Sequence, residues 1–345
     1  MRKLELIDRK FRVLAAIVDR YISTGYPVGS KAVCEDLELS FSPATIRSEM
    51  ADLSDFGYLF QPHVSAGRVP SYQGYRLYIN KLMSEKPLQN EEKNFINGIL
   101  AISATDPESL LETATKVLAE ITDYAVVITT PPNAESTVRD IKFVKIGRQS
   151  GMIVLMTSSG MIKNKLFKCD YELNSDILNM LGGILNEKFR GEPLKCVTPE
   201  YMDFMVGSNS ETSLLFIPVI DALMKAAEEA CEVEVKVKGQ KNLLSNKNLS
   251  AETLIEIFSF LENKDRLISL MDIPEHGLNF VIGDENVYRE LKQASVVATR
   301  YNVGGKSGTI GVIGPTRMDY SHVSSQIRYV ASLIGVLLGK ILENY

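Results

Sequence analysis

The stretch Ser42-Pro43-Ala44-Thr45-Ile46-Arg47-Ser48-Glu49-Met50-Ala51-Asp52-Leu53 constrains this chain more than any other, because it opens like a helix and turns its first residues outward. Ser42 is a favoured N-cap, and Pro43 suits the first helical position, where a missing N–H costs nothing. Ile46, Met50 and Leu53 recur at i, i+4 and i+7 and form the inward stripe. Thr45, Arg47, Ser48 and Asp52 face away from it, and Gly57 supplies a stop. A short helix led by Thr, Arg and Ser can place hydrogen-bonding groups in a DNA major groove. Many soluble helices also begin Ser-Pro, so the flanking segments decide.

Phe11, Leu14, Ala15, Val18, Tyr21 and Ile22 form a helical stripe that ends at Gly25. Ser30 can cap a second helix over 31–37, and Glu38-Leu39-Ser40-Phe41 then leads straight into Ser42. Helix, helix, tight turn and outward-facing helix is helix-turn-helix order. Residues 58–60 read as a short strand and 61–70 as a loop with a returning strand. Such a wing can lay Arg68 and His63 along phosphate or in a minor groove. Ser71 caps a helix over 72–83, and Tyr72, Tyr75 and Tyr78 read mainly as packing for it. Lys3, Arg9, Lys10 and Arg12 read as a solvated face from which one or two could meet phosphate. The residues expected to touch DNA are Ser42, Ala44, Thr45, Arg47, Ser48, His63 and Arg68.

These segments resemble the bacterial heat-inducible transcription repressor family, HrcA. The likeness is carried by Tyr26-Pro27-Val28-Gly29-Ser30, by Ser42-Pro43-Ala44-Thr45-Ile46-Arg47 with Met50 and Leu53, by Gly57-Tyr58-Leu59, by Ser65-Ala66-Gly67-Arg68-Val69-Pro70 and by Gly74-Tyr75-Arg76. Far downstream, Gly311-Val312-Ile313-Gly314-Pro315-Thr316-Arg317-Met318-Asp319-Tyr320 is similar to the family's C-terminal signature. Asn242-Leu243-Leu244 is similar to a central family element, of whose glycines only Gly239 remains. The resemblance implies a GAF-like domain split by an inserted dimerisation domain. It also implies a homodimer on an inverted-repeat operator in double-stranded DNA, upstream of chaperone operons such as those for GroE and DnaK, with the GroE chaperonin maintaining the active form.

A chain of 345 residues exceeds one ordinary core. The net charge of −5 does not advertise nucleic-acid binding, but it is unevenly spread. Residues 1–85 hold 11 Lys/Arg against 10 Asp/Glu, and the remainder 27 against 33, so the acidic surplus lies outside the helix-turn-helix. Cys34, Cys169, Cys196 and Cys231 form no C-x-x-C and have no histidine at ligand spacing, which argues against zinc and for reduced thiols. The first twelve residues are too charged for a signal peptide, and the most apolar run, 329–339, is short for a bilayer span. The expected compartment is the cytoplasm, with no membrane partner.

Beyond a polar break at 84–94, helical periodicity appears at 91–102 and from Asp106-Pro107 through Ile121. Strands follow at 124–130, 141–146, 152–157 and 161–167. The pattern then turns helical at 177–190, less regular near 199–206, and helical again at 213–231. The alternating run Glu232-Val233-Glu234-Val235-Lys236-Val237-Lys238 reads as a strand with one wet face. Helices at 250–262 and 263–271, strands at 278–282, 295–301 and 308–313, and a helix over 320–342 complete the chain. Two strand blocks around a helical interruption predict an α+β multidomain protein in which one domain is inserted into another. The expected division is a winged helix-turn-helix domain at 1–84, a GAF-like domain at 85–167 and 241–345, and the mostly helical insert at 168–240.

Gly305-Lys306-Ser307 lacks the earlier glycine of a phosphate loop, having Arg300 there, and joins two strands, so a hairpin turn is the better reading. His63, His276 and His322 are scattered and have no nucleophile in a recognisable motif. Arg317 and Asp319 read as a structural ion pair. The sequence therefore points to a repressor rather than an enzyme, with no cofactor or metal motif. The rival reading is a regulator that senses a small molecule in its GAF-like domain.

Overall fold

The computed structural model describes residues 2–37, 42–132, 136–198, 211–246 and 249–343. The turn expected at 38–41 and the irregular stretch expected near 199–206 lie outside these residues. The head consists of α1 (Arg2–Thr24), α2 (Ser30–Leu37), α3 (Pro43–Asp55), a hairpin of β1 (Leu59–Phe60) with β2 (Val69–Pro70), and α4 (Tyr72–Leu77), which runs on through a wider turn at Tyr78–Leu82. Leu14, Ile17 and Val18 of α1 are fully buried with Val33, Ile46 and Leu53, so the predicted stripes meet in one core.

The body is a five-stranded antiparallel sheet with order β7-β3-β10-β9-β8. Its strands are β3 (Ala125–Thr129), β7 (Val235–Lys238), β8 (Leu278–Ile282), β9 (Ala294–Val303) and β10 (Lys306–Pro315). Ile310 pairs with Ile128 and Val312 with Val126, so the two strand blocks do join across the interruption. Helices α5 (Asn90–Ile102), α6 (Pro107–Thr122) and α12 (Tyr320–Glu343) cover one face. On the other face lie α9 (Gln240–Leu244), α10 (Ala251–Leu261) and α11 (Lys264–Met271). Because both faces are covered, β3 is buried along its whole length, which accounts for its unbroken apolar run. At the β7 edge, Lys236 and Lys238 reach Glu108 and Glu112 of α6 at 3.1 and 2.8 Å. Lysines at an edge discourage pairing with another strand. By length and hydropathy α12 could cross a membrane, yet Ile327, Val330 and Ile334 are fully buried against the body.

Between β3 and β7 stands a separate layer. There β4 (Val138–Lys145), β5 (Ser150–Thr157) and β6 (Ile162–Lys168) form their own three-stranded antiparallel sheet, backed by α7 (Ser175–Phe189) and α8 (Glu211–Cys231). Ile153, Leu155, Phe189 and Leu223 sit at the centre of its core, which is distinct from both cores of the body. Of the four strands expected in the first part of the GAF-like domain, β3 joins the five-stranded sheet, whereas β4, β5 and β6 pair only with one another and pack with the helices of the expected insert. Periodicity identified the strands but could not say which strands they pair with. Asn186 fixes the arrangement by accepting from Ile141 N at 2.8 Å and donating to Ile141 O at 2.7 Å, which ties α7 to β4.

Candidate nucleic-acid interface

The helix α3 starts as its sequence requires. Ser42 is extended and its hydroxyl accepts from Thr45 N at 3.2 Å, which satisfies one of the free N–H groups of the first turn. Ala44, Arg47 and Ser48 are exposed and Thr45 is half-buried, while Ile46, Met50 and Leu53 face the core. The helix is held from behind by ion pairs: Arg9 with the buried Glu49, and Lys10 with Asp52 at 2.6 Å. Two of the four basic residues read as a solvated face of α1 are thus engaged with α3. Glu49 lies one helical turn beyond Thr45, and only the position of α1 reveals its role.

The wing gains one further backbone bridge that periodicity missed. Val28 and Arg68 exchange backbone hydrogen bonds, each at 2.8 Å, so the segment between α1 and α2 pairs with the hairpin. Gly67 passes so close to Val28 that a Cβ there would lie 2.3 Å from its carbonyl oxygen, which excludes any side chain. Arg68 is half-buried and donates from Nε to Ser54 Oγ at 3.0 Å, linking the wing to α3. His63 and Val64 are exposed in the loop between β1 and β2, and Gln61 braces that loop by donating to Val64 O and Ala66 O at 2.8 and 2.9 Å.

A groove runs between the start of α2, the outer face of α3 and the wing. Of the expected DNA-contacting residues it brings together Arg47 and Arg68, and it adds Lys31 and Gln61, which the sequence reading passed over. Its lining carries three cations and no carboxylate, so a local positive field exists within a head of nearly balanced charge. Ser42, Ala44, Thr45, Ser48 and His63 lie outside the groove lining. Ser42 and Thr45 are occupied with the helix cap, whereas Ala44, Ser48 and His63 stand exposed nearby.

The orientation of the head is set by the body. Arg317 donates to Tyr21 O and Ile22 O at 3.1 and 2.7 Å, capping the last carbonyls of α1, and its guanidinium lies over the Tyr21 ring. A cation suits that end of a helix. Gly25, at φ +76°, leaves room for the guanidinium, which would sit 3.0 Å from any Cβ there. Asp319 pairs with Lys86 at 3.0 Å and accepts from His322 N at 3.1 Å. The expected Arg317–Asp319 pair is thus replaced by two separate contacts, one to the head and one to the connecting segment. Ser321 donates to Ser84 O at 2.5 Å and accepts from Lys86 N at 2.9 Å.

The tyrosines of the α4 segment complete the junction. The rings of Tyr75 and Tyr320 lie 5.7 Å apart, and Tyr78 donates to Asp19 at 2.5 Å. Burial raises the Asp19 carboxyl above its ordinary value despite that hydrogen bond. Arg76 pairs with Glu285 and donates to Phe280 O at 2.7 Å. At Glu285 burial acts upward as well, but the Arg76 guanidinium and the Ile282 N–H outweigh it and hold the carboxyl below the usual range.

Fold and groove together define a class: a winged helix-turn-helix head on a GAF-like α+β body that carries an inserted domain. The family model described as "HrcA protein C terminal domain" matches residues 108–323. The heat-inducible transcription repressor HrcA of Alkaliphilus metalliredigens is 32% identical over 98% of this chain and 99% of its own length. The protein of that name from Acetivibrio thermocellus is 34% identical over 95% of each. A crystal structure at 2.2 Å described as that of a hypothetical protein superposes with a TM-score of 0.70 at 25% identity, covering 97% of this chain and 99% of the other. The chain belongs to the HrcA family.

Proposed function

We propose that this protein is a cytoplasmic transcriptional repressor, not an enzyme, that binds an inverted-repeat operator as a homodimer and silences chaperone operons such as those for GroE and DnaK. The observation that carries the reading is the cationic groove of Lys31, Arg47 and Arg68 beside the outward first turn of α3. Arg47 reads a base edge in the major groove, with Ser48 and Ala44 beside it, and Ser42 and Thr45 hold the turn in shape. Arg68 stiffens the wing through Ser54 and adds its charge to the phosphate field, while His63 tracks the backbone from the wing loop. A two-fold protein matches an inverted repeat and couples two weak half-sites.

The second copy is placed on the outer face of the insert sheet. Cross-strand rows there run Val144–Met152–Leu166 and Met156–Ile162, and Leu166 is 70% exposed. Several neighbouring apolar side chains on one sheet face favour self-association, and the helices of the insert already occupy the other face. The topology supports the reading of chaperonin dependence. Thr129 and Thr309, 180 positions apart, meet across β3 and β10, and such non-local pairing folds slowly and leaves edges exposed on the way. Heat-damaged proteins that occupy the chaperonin then leave the repressor inactive and release its operons.

Operator titration by fluorescence anisotropy tests the reading. Arg47→Ala is expected to weaken operator binding by about 1–3 kcal/mol and to relax preference at one base pair per half-site. Unchanged binding refutes the assignment of α3. Added chaperonin is expected to raise the active fraction of repressor without changing its affinity.

A further inference from the structure

The second face of the GAF-like sheet is packed by Leu243, Phe260, Leu267 and Met271. A cavity of about 200 Å³ lies elsewhere, at the junction of body and insert. Its apolar wall comes from three parts of the chain: Leu111 of α6, Met161 and Ile162 at the start of β6, and Val303, Leu338 and Leu342 from the β9 end and α12. None of its lining residues is aromatic.

The polar groups at its rim are mostly committed. Lys163 is paired with Glu234, and Glu108 with Lys236 at 3.1 Å. Asp106 caps α6, accepting from Ser109 N at 2.8 Å, so its charge rests against the positive end of the helix. Lys306, on the β10 side of the hairpin turn, donates to Ser136 Oγ at 3.1 Å and has no carboxylate partner among the described residues. An apolar-walled space with one ammonium at its rim that no carboxylate among the described residues pairs selects for a small monoanion with an apolar tail.

We propose that this cavity binds a short-chain aliphatic monocarboxylate, its carboxylate on Lys306 Nζ and its chain between Leu111, Leu338 and Met161. A cavity of ~150 Å³ holds benzene, so this volume scales to roughly eight heavy atoms, the size of hexanoate. A saturated chain suits walls of Leu, Met, Ile and Val better than a ring that would find no stacking partner. Because the walls belong to both body and insert, an occupant ties the β5–β6 hairpin to the body and restrains the insert. The proposal stands independently of the operator reading.

Isothermal titration of the full-length protein with sodium hexanoate tests it, alongside hydrogen exchange at residues 160–163. The expected result is one saturable site per chain, slower exchange in the hairpin, and at least about tenfold weaker binding for Lys306→Gln and for Leu342→Phe. Lys306 lies beside a turn, so its variant remains decisive if Leu342→Phe proves unstable. Equal binding of 1-hexanol, full affinity in Lys306→Gln, or no saturable heat at millimolar hexanoate would each overturn the proposal.

Discussion

At the head, Tyr75 and Tyr78 of the α4 segment share one continuous apolar cluster with Tyr320, Val323 and Ile327 of the body, and Arg317 closes the end of α1. At the insert, a separate core stops short of the body, and the junction includes the Lys163–Glu234 and Lys264–Glu232 pairs, the Lys306–Ser136 hydrogen bond and a cavity. Buried apolar contact is lost only when the surfaces separate fully, whereas exposed ion pairs break and reform at little cost. The head is therefore built into the body, while the insert is a unit of its own, attached by polar contacts. The first arrangement gives α3 a fixed orientation relative to the body, and the second leaves the insert free to adjust on its own.

Changes at the two junctions should then differ in size. Tyr75→Ala removes a buried ring that stacks across the head–body boundary, and calorimetry is expected to show a loss of about 3–5 kcal/mol. A loss below 1 kcal/mol would break the comparison. Arg317→Ala removes the donor to the Ile22 carbonyl and leaves Tyr21 O with Gly25 N alone, and is expected to cost about 1.5–3 kcal/mol, with faster exchange at the end of α1. Arg317→Lys should recover only part of this, since a lysine lacks the planar fork.

Smaller effects sharpen the contrast. Arg76→Gln is expected to cost about 1 kcal/mol at neutral pH. The Glu285 carboxyl is held below its ordinary value of 4.5, so the stability it contributes is present above that pH and is lost as pH falls through the lower folded value. Melting curves of wild type and Arg76→Gln should therefore converge in acid; a constant gap would mean that Arg76 acts through Phe280 O alone. Lys163→Gln at the insert junction is expected to change stability by less than about 1 kcal/mol. A loss as large as that of Tyr75→Ala would show the insert to be as firmly joined as the head.

What the sequence revealed follows a physical divide. The α3 cap and stripe and the α1 stripe are local periodicities, and each folds as its pattern reads, whereas the alternating run at 232–238 is a strand only over Val235–Lys238 and is half-buried throughout, because α6 lies against its lysine face. The association of strands is not local. Ile153 and Leu155 look as strand-like as Val126 and Ile128, and nothing within either run says that they belong to different sheets. The same limit hid the role of Arg317, whose carbonyl partner Ile22 lies 295 positions away. At the wing, neither the need for Gly67, which passes close to Val28, nor the bond from Arg68 to Ser54 is visible in the local pattern. Lys31 and Gln61 carried no motif of their own; only the fold sets them beside Arg47.

Native-state hydrogen exchange at rising denaturant tests most directly whether head and body form one unit with the insert apart. The amides of Val13, Leu14, Ile17 and Val18 should merge into one isotherm with those of Val126 and Val312, while Ile153 and Leu155 follow a second. An isotherm for the α1 amides distinct from the body, or a single one joining body and insert, would contradict the account.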